Sequence, residues 1–143
     1  MNTRSVVGVI AGGVVDIAAT NIFAIPVVVI ALVKYHPVGS GGSTAFMRTL
    51  SADPSLSVTM MCLGGLASVL GGYTAALIAR QNPLLVGALS AYLCVAFGVV
   101  GLAQDTTHTA ALWQHVAGFF ISPALGLLGG YLRSLQIRRV ATA

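Results

Sequence analysis

The stretch GVIAGGVVDIAATNIFAIP, from Gly8 to Pro26, carries one aspartate among neighbours that are almost all apolar. Thr20 follows Asp16 by one helical turn and Asn21 lies beside it, and these three are the residues whose types and spacing best suggest chemistry. No lysine, arginine or histidine can be assigned to the same depth. A carboxyl taken out of water without a counter-charge favours its neutral form, which donates one hydrogen bond and accepts others. Ser68, Ser90 and Ser122 are the hydroxyls that could meet it from other segments. Two roles compete. A neutral Asp16 holds helices together, an interaction typically worth about 1 kcal/mol. Alternatively, Asp16, Thr20 and Asn21 line a polar strip for a proton, a cation or a small solute, as ionisable groups inside membranes often do. A partner inserted against Asp16 is a third possibility.

The remaining reactive residues do not assemble. His108 and His115, near Asp105, have ligand chemistry, but they are seven positions apart, about 10.5 Å along a straight helix and too far for one ion. His36 lies in a loop without a partner. No metal and no cofactor is expected. Cys62 and Cys94 fall inside apolar runs and read as small hydrophobes, with no disulfide inferred. The chain has no paired carboxylates, no HExxH, no glycine loop ahead of a lysine, and no Ser-His-Asp or Cys-His set at one depth. It reads as a protein that is not an enzyme. Pro26 and Pro123 each remove a backbone hydrogen bond, leaving the carbonyls of Ile22 and Phe119 free, and both read as kinks.

Composition says what must position Asp16. Of the 143 residues, 57% are hydrophobic and 7% charged, and the mean hydropathy is +0.93, far from the balance of water-soluble domains. Four apolar stretches, at about 6–33, 56–79, 84–103 and 110–132, each approach the roughly 20 residues that cross about 30 Å of hydrocarbon. The first follows the short basic start MNTR, but its apolar run is too long for a signal peptide and an acid interrupts it. The connections RQNP and QDTTHT are short, which makes sequential helices antiparallel neighbours. The expected fold is an all-α membrane protein with four transmembrane helices in an up-down-up-down bundle, a single domain over residues 1–143. Residues 34–55 form a glycine- and serine-rich outer loop, flexible by composition. Within it, Phe46, Met47 and Leu50 around Arg48 form either a turn on the membrane surface or a plain linker. Asp53 and Pro54 make an N-cap and first-turn pair.

The net charge of +4 provides no basic stripe for nucleic acid, so the cations are read by topology. With the N-terminus in the cytoplasm, Arg4, Arg80, Arg133, Arg138 and Arg139 fall inside and only Lys34 and Arg48 outside. This positive-inside pattern places both termini in the cytoplasm. Counted from Val6, Asp16 is then about ten residues, or roughly 15 Å, into the first helix and near the bilayer centre.

Small residues recur every fourth position: Gly8, Gly12, Asp16 and Thr20 in the first helix, Gly64, Ser68, Gly72 and Ala76 in the second, and Gly118, Ser122, Gly126 and Gly130 in the fourth. In lipid, such rows let backbones approach, so Asp16 is expected on a packed face, away from acyl chains. Facing lipid at mid-depth would cost it at least about 2.5 kcal/mol. The rows exceed what one bundle interior uses, and a homo-oligomer is expected. LGGY occurs at Leu70 to Tyr73 and again at Leu128 to Tyr131, which raises a two-hairpin pseudo-repeat.

The segment LGGYTAALIARQNPLLVGALSA, together with the later pair Gly129 and Gly130, resembles a recurrent pattern in small four-helix bacterial membrane proteins of unknown function. The resemblance covers helices two to four, leaves Asp16 out and implies no activity. Taken together, the chain reads as a non-enzymatic integral protein of the bacterial inner membrane, an assembling or accessory subunit that contacts itself or another membrane protein. The alternative is a small oligomeric channel or transporter with a polar strip around Asp16.

Overall fold

The structure is a computed structural model and describes residues 2–35, 52–79, 82–104 and 112–141, of which 101–104, 112–117, 140 and 141 are described by their backbone alone. Four helices account for nearly all of it: α1 Thr3–Tyr35, α2 Pro54–Ala79, α3 Pro83–Gln104 and α4 Leu112–Ala141. Among the described residues, three stretches are long and apolar enough to cross a membrane: Thr3–Tyr35, Pro54–Ala79 and Pro83–Val100.

Local chemistry fixes where these helices begin. The Asn2 side-chain oxygen accepts the Ser5 N–H at 2.9 Å, capping α1. Asp53 Oδ1 accepts the Ser55 N–H at 2.9 Å and the Leu56 N–H at 3.4 Å, with Pro54 in the first turn of α2. Ahead of α3, Asn82 has a left-handed backbone (φ 47°), a conformation that asparagine tolerates better than most residues, and its carbonyl accepts the Val86 N–H at 3.1 Å.

The far ends of the helices differ from the boundaries read in the sequence. α1 begins at Thr3 because Asn2 supplies the cap. α4 continues nine residues past Leu132 to Ala141, through RSLQIRRVA. Leaving the apolar run does not end it, because side chains satisfy neighbours within this segment: Ser134 Oγ donates to the Tyr131 carbonyl at 2.7 Å and Arg133 Nη1 to Gln136 Oε1 at 3.1 Å. Both α1 and α4 run unbroken through their internal prolines, Pro26 and Pro123.

Contacts set the directions. Gly8 lies against Ala75 and Ala79, and Gly12 against Gly71 and Ala75, so α1 and α2 are antiparallel. Gly130 meets Pro83 and Gly126 meets Gly87 and Ala91, so α3 and α4 are antiparallel as well. Ser68 against Ser122 and, one turn on, Gly72 against Gly126 keep the same offset, so α2 and α4 are parallel. In this arrangement α2 and α3 touch each other and both outer helices, leaving α1 and α4 at opposite corners.

Residue size is inverted relative to a water-soluble domain. The buried apolar side chains are mostly alanines, namely Ala31, Ala67, Ala75, Ala76, Ala79 and Ala91, joined by Val27, Leu56 and Val86. Ile10, Val14, Ile22, Phe97 and Phe120 are more than half exposed. Water would penalise that surface heavily, whereas acyl chains are as apolar as leucine and let small residues take the interior. This arrangement is compatible with a membrane-embedded protein.

At the end away from the arginines, Lys34 Nζ lies 2.7 Å from Asp53 Oδ2, and the Tyr35 hydroxyl donates to the same oxygen. One carboxylate therefore caps α2 and ties it to the last turn of α1. These bonds hold Asp53 well below the usual carboxylate range, Lys34 contributing most and Tyr35 next. Beneath them Val27, Ala31 and Leu56 pack with Tyr35, Met60 and Leu63. The expected surface turn at Phe46, Met47 and Leu50 lies outside the described residues, as do Asp105 and His108.

Candidate functional site at Asp16

The row Gly8, Gly12, Asp16 on α1 is buried throughout, and Thr20 continues it half-buried. A Cβ at Gly12 would stand 2.6 Å from the Gly71 carbonyl oxygen, and one at Gly71 would stand 2.7 Å from the Asp16 Cβ. The backbones of α1 and α2 are thus in contact immediately beside Asp16. That closeness presses the carboxyl into the seam between helices, where it is 1% exposed.

Every helix contributes to what surrounds it. Ser68 of α2, 3% exposed, donates to Asp16 Oδ2 at 3.1 Å and Oδ1 at 3.3 Å. The Ser122 hydroxyl of α4 lies 3.1 Å from that of Ser68. A hydroxyl has one proton, so while Ser68 donates to the carboxylate, Ser122 must donate to Ser68. The Cys94 thiol of α3 and the Thr20 hydroxyl also lie near enough to the carboxyl to interact with it. If the carboxyl takes up a proton and donates it, the Ser68–Ser122 pair can reverse. The chemistry available is therefore acceptance of hydrogen bonds, or passage of a proton along three oxygens.

Not all the residues singled out from the sequence meet here. Thr20, Ser68 and Ser122 do. Asn21 is exposed and its side-chain N–H donates back to the Ile17 carbonyl at 2.8 Å, so the polar strip does not extend to it. Ser90 is fully buried but spends its hydroxyl on the Gly87 carbonyl at 2.8 Å. Cys94 was missed, because a lone thiol inside an apolar helix gives no sign of a polar partner. Among the described residues, no cluster of three or more His, Cys, Asp or Glu could hold a metal ion.

The small-residue rows divide along their length. Gly72 and Gly126 touch so closely that a Cβ at Gly72 would stand 2.3 Å from the Gly126 carbonyl oxygen; one at Gly130 would stand 2.3 Å from that of Pro83. Gly64 and Gly118, in frame with them, have nothing within 4 Å. Gly13, Gly71, Gly87 and Gly129 also form close contacts, although the fourfold spacing did not single them out. The two LGGY copies are used differently: Gly71 faces α1 and Gly72 faces α4, whereas Gly129 faces α2 and Gly130 faces α3. Compared with family models, curated proteins and solved structures, the chain matches none.

Proposed function

We propose that the chain is a non-enzymatic integral protein of the bacterial inner membrane that crosses it four times and serves as an assembling or accessory subunit. Its partner is a second copy or another membrane protein. One observation carries this reading. Ala96, Phe97, Gly98, Val99 and Val100 are five consecutive exposed residues of α3, more than one full helical turn, so among the described residues this stretch of α3 is exposed on every side. Gly98 there, Gly118 on α4 and Gly64 on α2 are all open. Small residues are where membrane helices make close protein contact, and among the described residues these three glycines make none.

Arg4, Arg133, Arg138 and Arg139 belong to the end where α1 starts and α4 finishes, and Arg80 follows α2 directly in sequence. The positive-inside rule puts that end, with both termini, in the cytoplasm. A stoichiometric partner, or a second copy, is expected when the tagged chain is purified from native membranes in mild detergent. A strictly monomeric, partner-free protein would refute the subunit reading. For orientation, Ser40→Cys and Asp105→Cys are expected to label from the periplasm and Gln81→Cys not.

The Ser122–Ser68–Asp16 line favours a second reading, a small oligomeric channel or transporter. Proton or cation flux in liposomes that is lost in Asp16→Asn would establish it, and unchanged flux would remove Asp16 from any such path. The tight glycine contact beside Asp16 and its near-complete burial favour the packing role over this one.

A further inference from the structure

The face of α1 opposite Gly8, Gly12 and Asp16 carries a pattern of its own. Val14, Ala18, Asn21, Ile25, Val28 and Leu32 follow one another at alternating spacings of four and three, the heptad seam along which two helices pack side by side. Val28 is half-buried and the other five are exposed. Apolar residues at these positions suit acyl chains as well as a second helix, but Asn21 does not. It lies 18 residues after Thr3 and 14 before Tyr35, about 27 Å and 21 Å from the two ends of α1, too deep for so short a side chain to reach either headgroup layer. One of its side-chain N–H groups goes to the Ile17 carbonyl at 2.8 Å. The amide also has a second N–H and a carbonyl oxygen, and among the described residues neither has a partner. Hydrocarbon supplies none.

We propose that a second copy of this chain docks on this face, α1 parallel to α1, with the two Asn21 amides hydrogen-bonded to each other. An amide complements itself: the partly positive N–H of each copy meets the partly negative oxygen of the other, so each gives one bond and takes one. Copies that share one topology bring their α1 helices together in parallel about an axis along the membrane normal. Asn21 then meets Asn21 of the second copy at the same depth. Val14 to Leu32 is 18 residues, about 27 Å and close to the full hydrocarbon thickness. One polar residue in an otherwise apolar seam fixes the register and the number of helices that join. Gly12 and Gly13, on the other side of α1, hold the contacts to α2 and α3, so docking here displaces no contact within the chain. The proposal rests on the membrane-spanning subunit reading above and names a second copy as its partner.

The full chain, carrying one fluorophore per copy, is reconstituted into phosphatidylglycerol and phosphatidylcholine liposomes at falling protein-to-lipid ratios, and copies are counted by photobleaching steps. Wild type is expected to form dimers and Asn21→Val to weaken them about tenfold, the scale of one strong hydrogen bond between membrane helices. Leu85→Ala, exposed on α3, is expected to leave them unchanged. In native membranes and a Cys62→Ala background, oxidation by copper phenanthroline is expected to join copies through Leu32→Cys and not through Ile30→Cys. Both positions are exposed and close in depth, but they lie about 160° apart around the axis. Dimers of Asn21→Val as tight as wild type, or equal crosslinking at the two positions, would overturn the seam and leave the subunit reading in place. A chain that stays monomeric at every ratio yet purifies from native membranes with another protein would likewise overturn this proposal alone. Release of the wild-type chain from membranes by alkaline wash would instead refute the membrane reading, taking this proposal with it.

Discussion

Toward the arginine-rich end, α1 to α4 meet through glycine. Gly8 and Gly12 lie on the α2 backbone, Gly72 on Gly126, and Gly130 on Pro83, each close enough that a methyl group would collide with main chain or an alanine methyl. Toward the opposite end, among the described residues, Gly64, Gly98 and Gly118 are open and Phe97 and Phe120 are exposed. Among the described residues there, α1 and α2 stay together through Val27, Ala31 and Leu56 and the Asp53 tie, and Phe119 of α4 meets Tyr92 of α3 edge to face. Asp16 and Ser68 lie where the closed half gives way to the open one. A shared spacing therefore has two outcomes, closing the fold in one half and leaving glycines open in the other.

The sharpest way to break this comparison is to put the same bulk into each half. Gly72→Leu and Gly126→Leu force two backbones apart and are expected to cost about 3 kcal/mol or more, at or beyond the upper end of ordinary overpacking. Gly64→Leu is expected to change stability by less than about 0.5 kcal/mol. Unfolding of the three variants in mixed micelles measures the difference, and similar losses for all three would erase the distinction between the halves.

Next in size is the boundary itself. Ser68→Ala leaves the Asp16 carboxyl buried without its main donor and is expected to cost about 1–3 kcal/mol. Ser122→Ala, which touches Asp16 only through Ser68, is expected to cost less than about 1 kcal/mol. If Ser122→Ala proves the more damaging, the line does not run toward Asp16 as described.

The smallest effect belongs to the tie at the open end. Asp53 has a lowered value in the folded chain, so its contribution is complete above its unfolded value, about 3.9, and fades as pH falls through the lower folded one. The difference in thermal midpoint between wild type and Asp53→Asn is expected to be constant above about pH 5 and to shrink below about pH 4. A difference that grows on acidification would reverse the assigned sign.

Much of this was legible in the residues. The row Gly8, Gly12, Asp16 predicted a packed face for the carboxyl, and Ser68 and Ser122 were among the hydroxyls expected near it. Asn21 misled because neighbouring in sequence is not neighbouring on a helix: five positions from Asp16 is about 140° around the axis, whereas Thr20 is only about 40° away. Spacing also says which face a glycine shares but not how far along that face two helices remain together. Gly64 and Gly118 therefore looked like Gly72 and Gly126 until their surroundings were known. Hydropathy ended α4 near Leu132 because it registers the loss of apolar side chains, while the backbone continued as helix to Ala141. The Lys34–Asp53 pair joins residues separated by a long connection, and no local pattern marks it.

Whether the open half is a contact surface is tested most directly by photo-crosslinking in native membranes. Benzoylphenylalanine is placed at Phe97, 66% exposed in the open half, or at Leu85, 53% exposed in the closed half. A protein adduct of discrete mass is expected from position 97 and only lipid adducts from position 85. Lipid adducts alone from both, or the same protein adduct from both, would contradict the division between the halves.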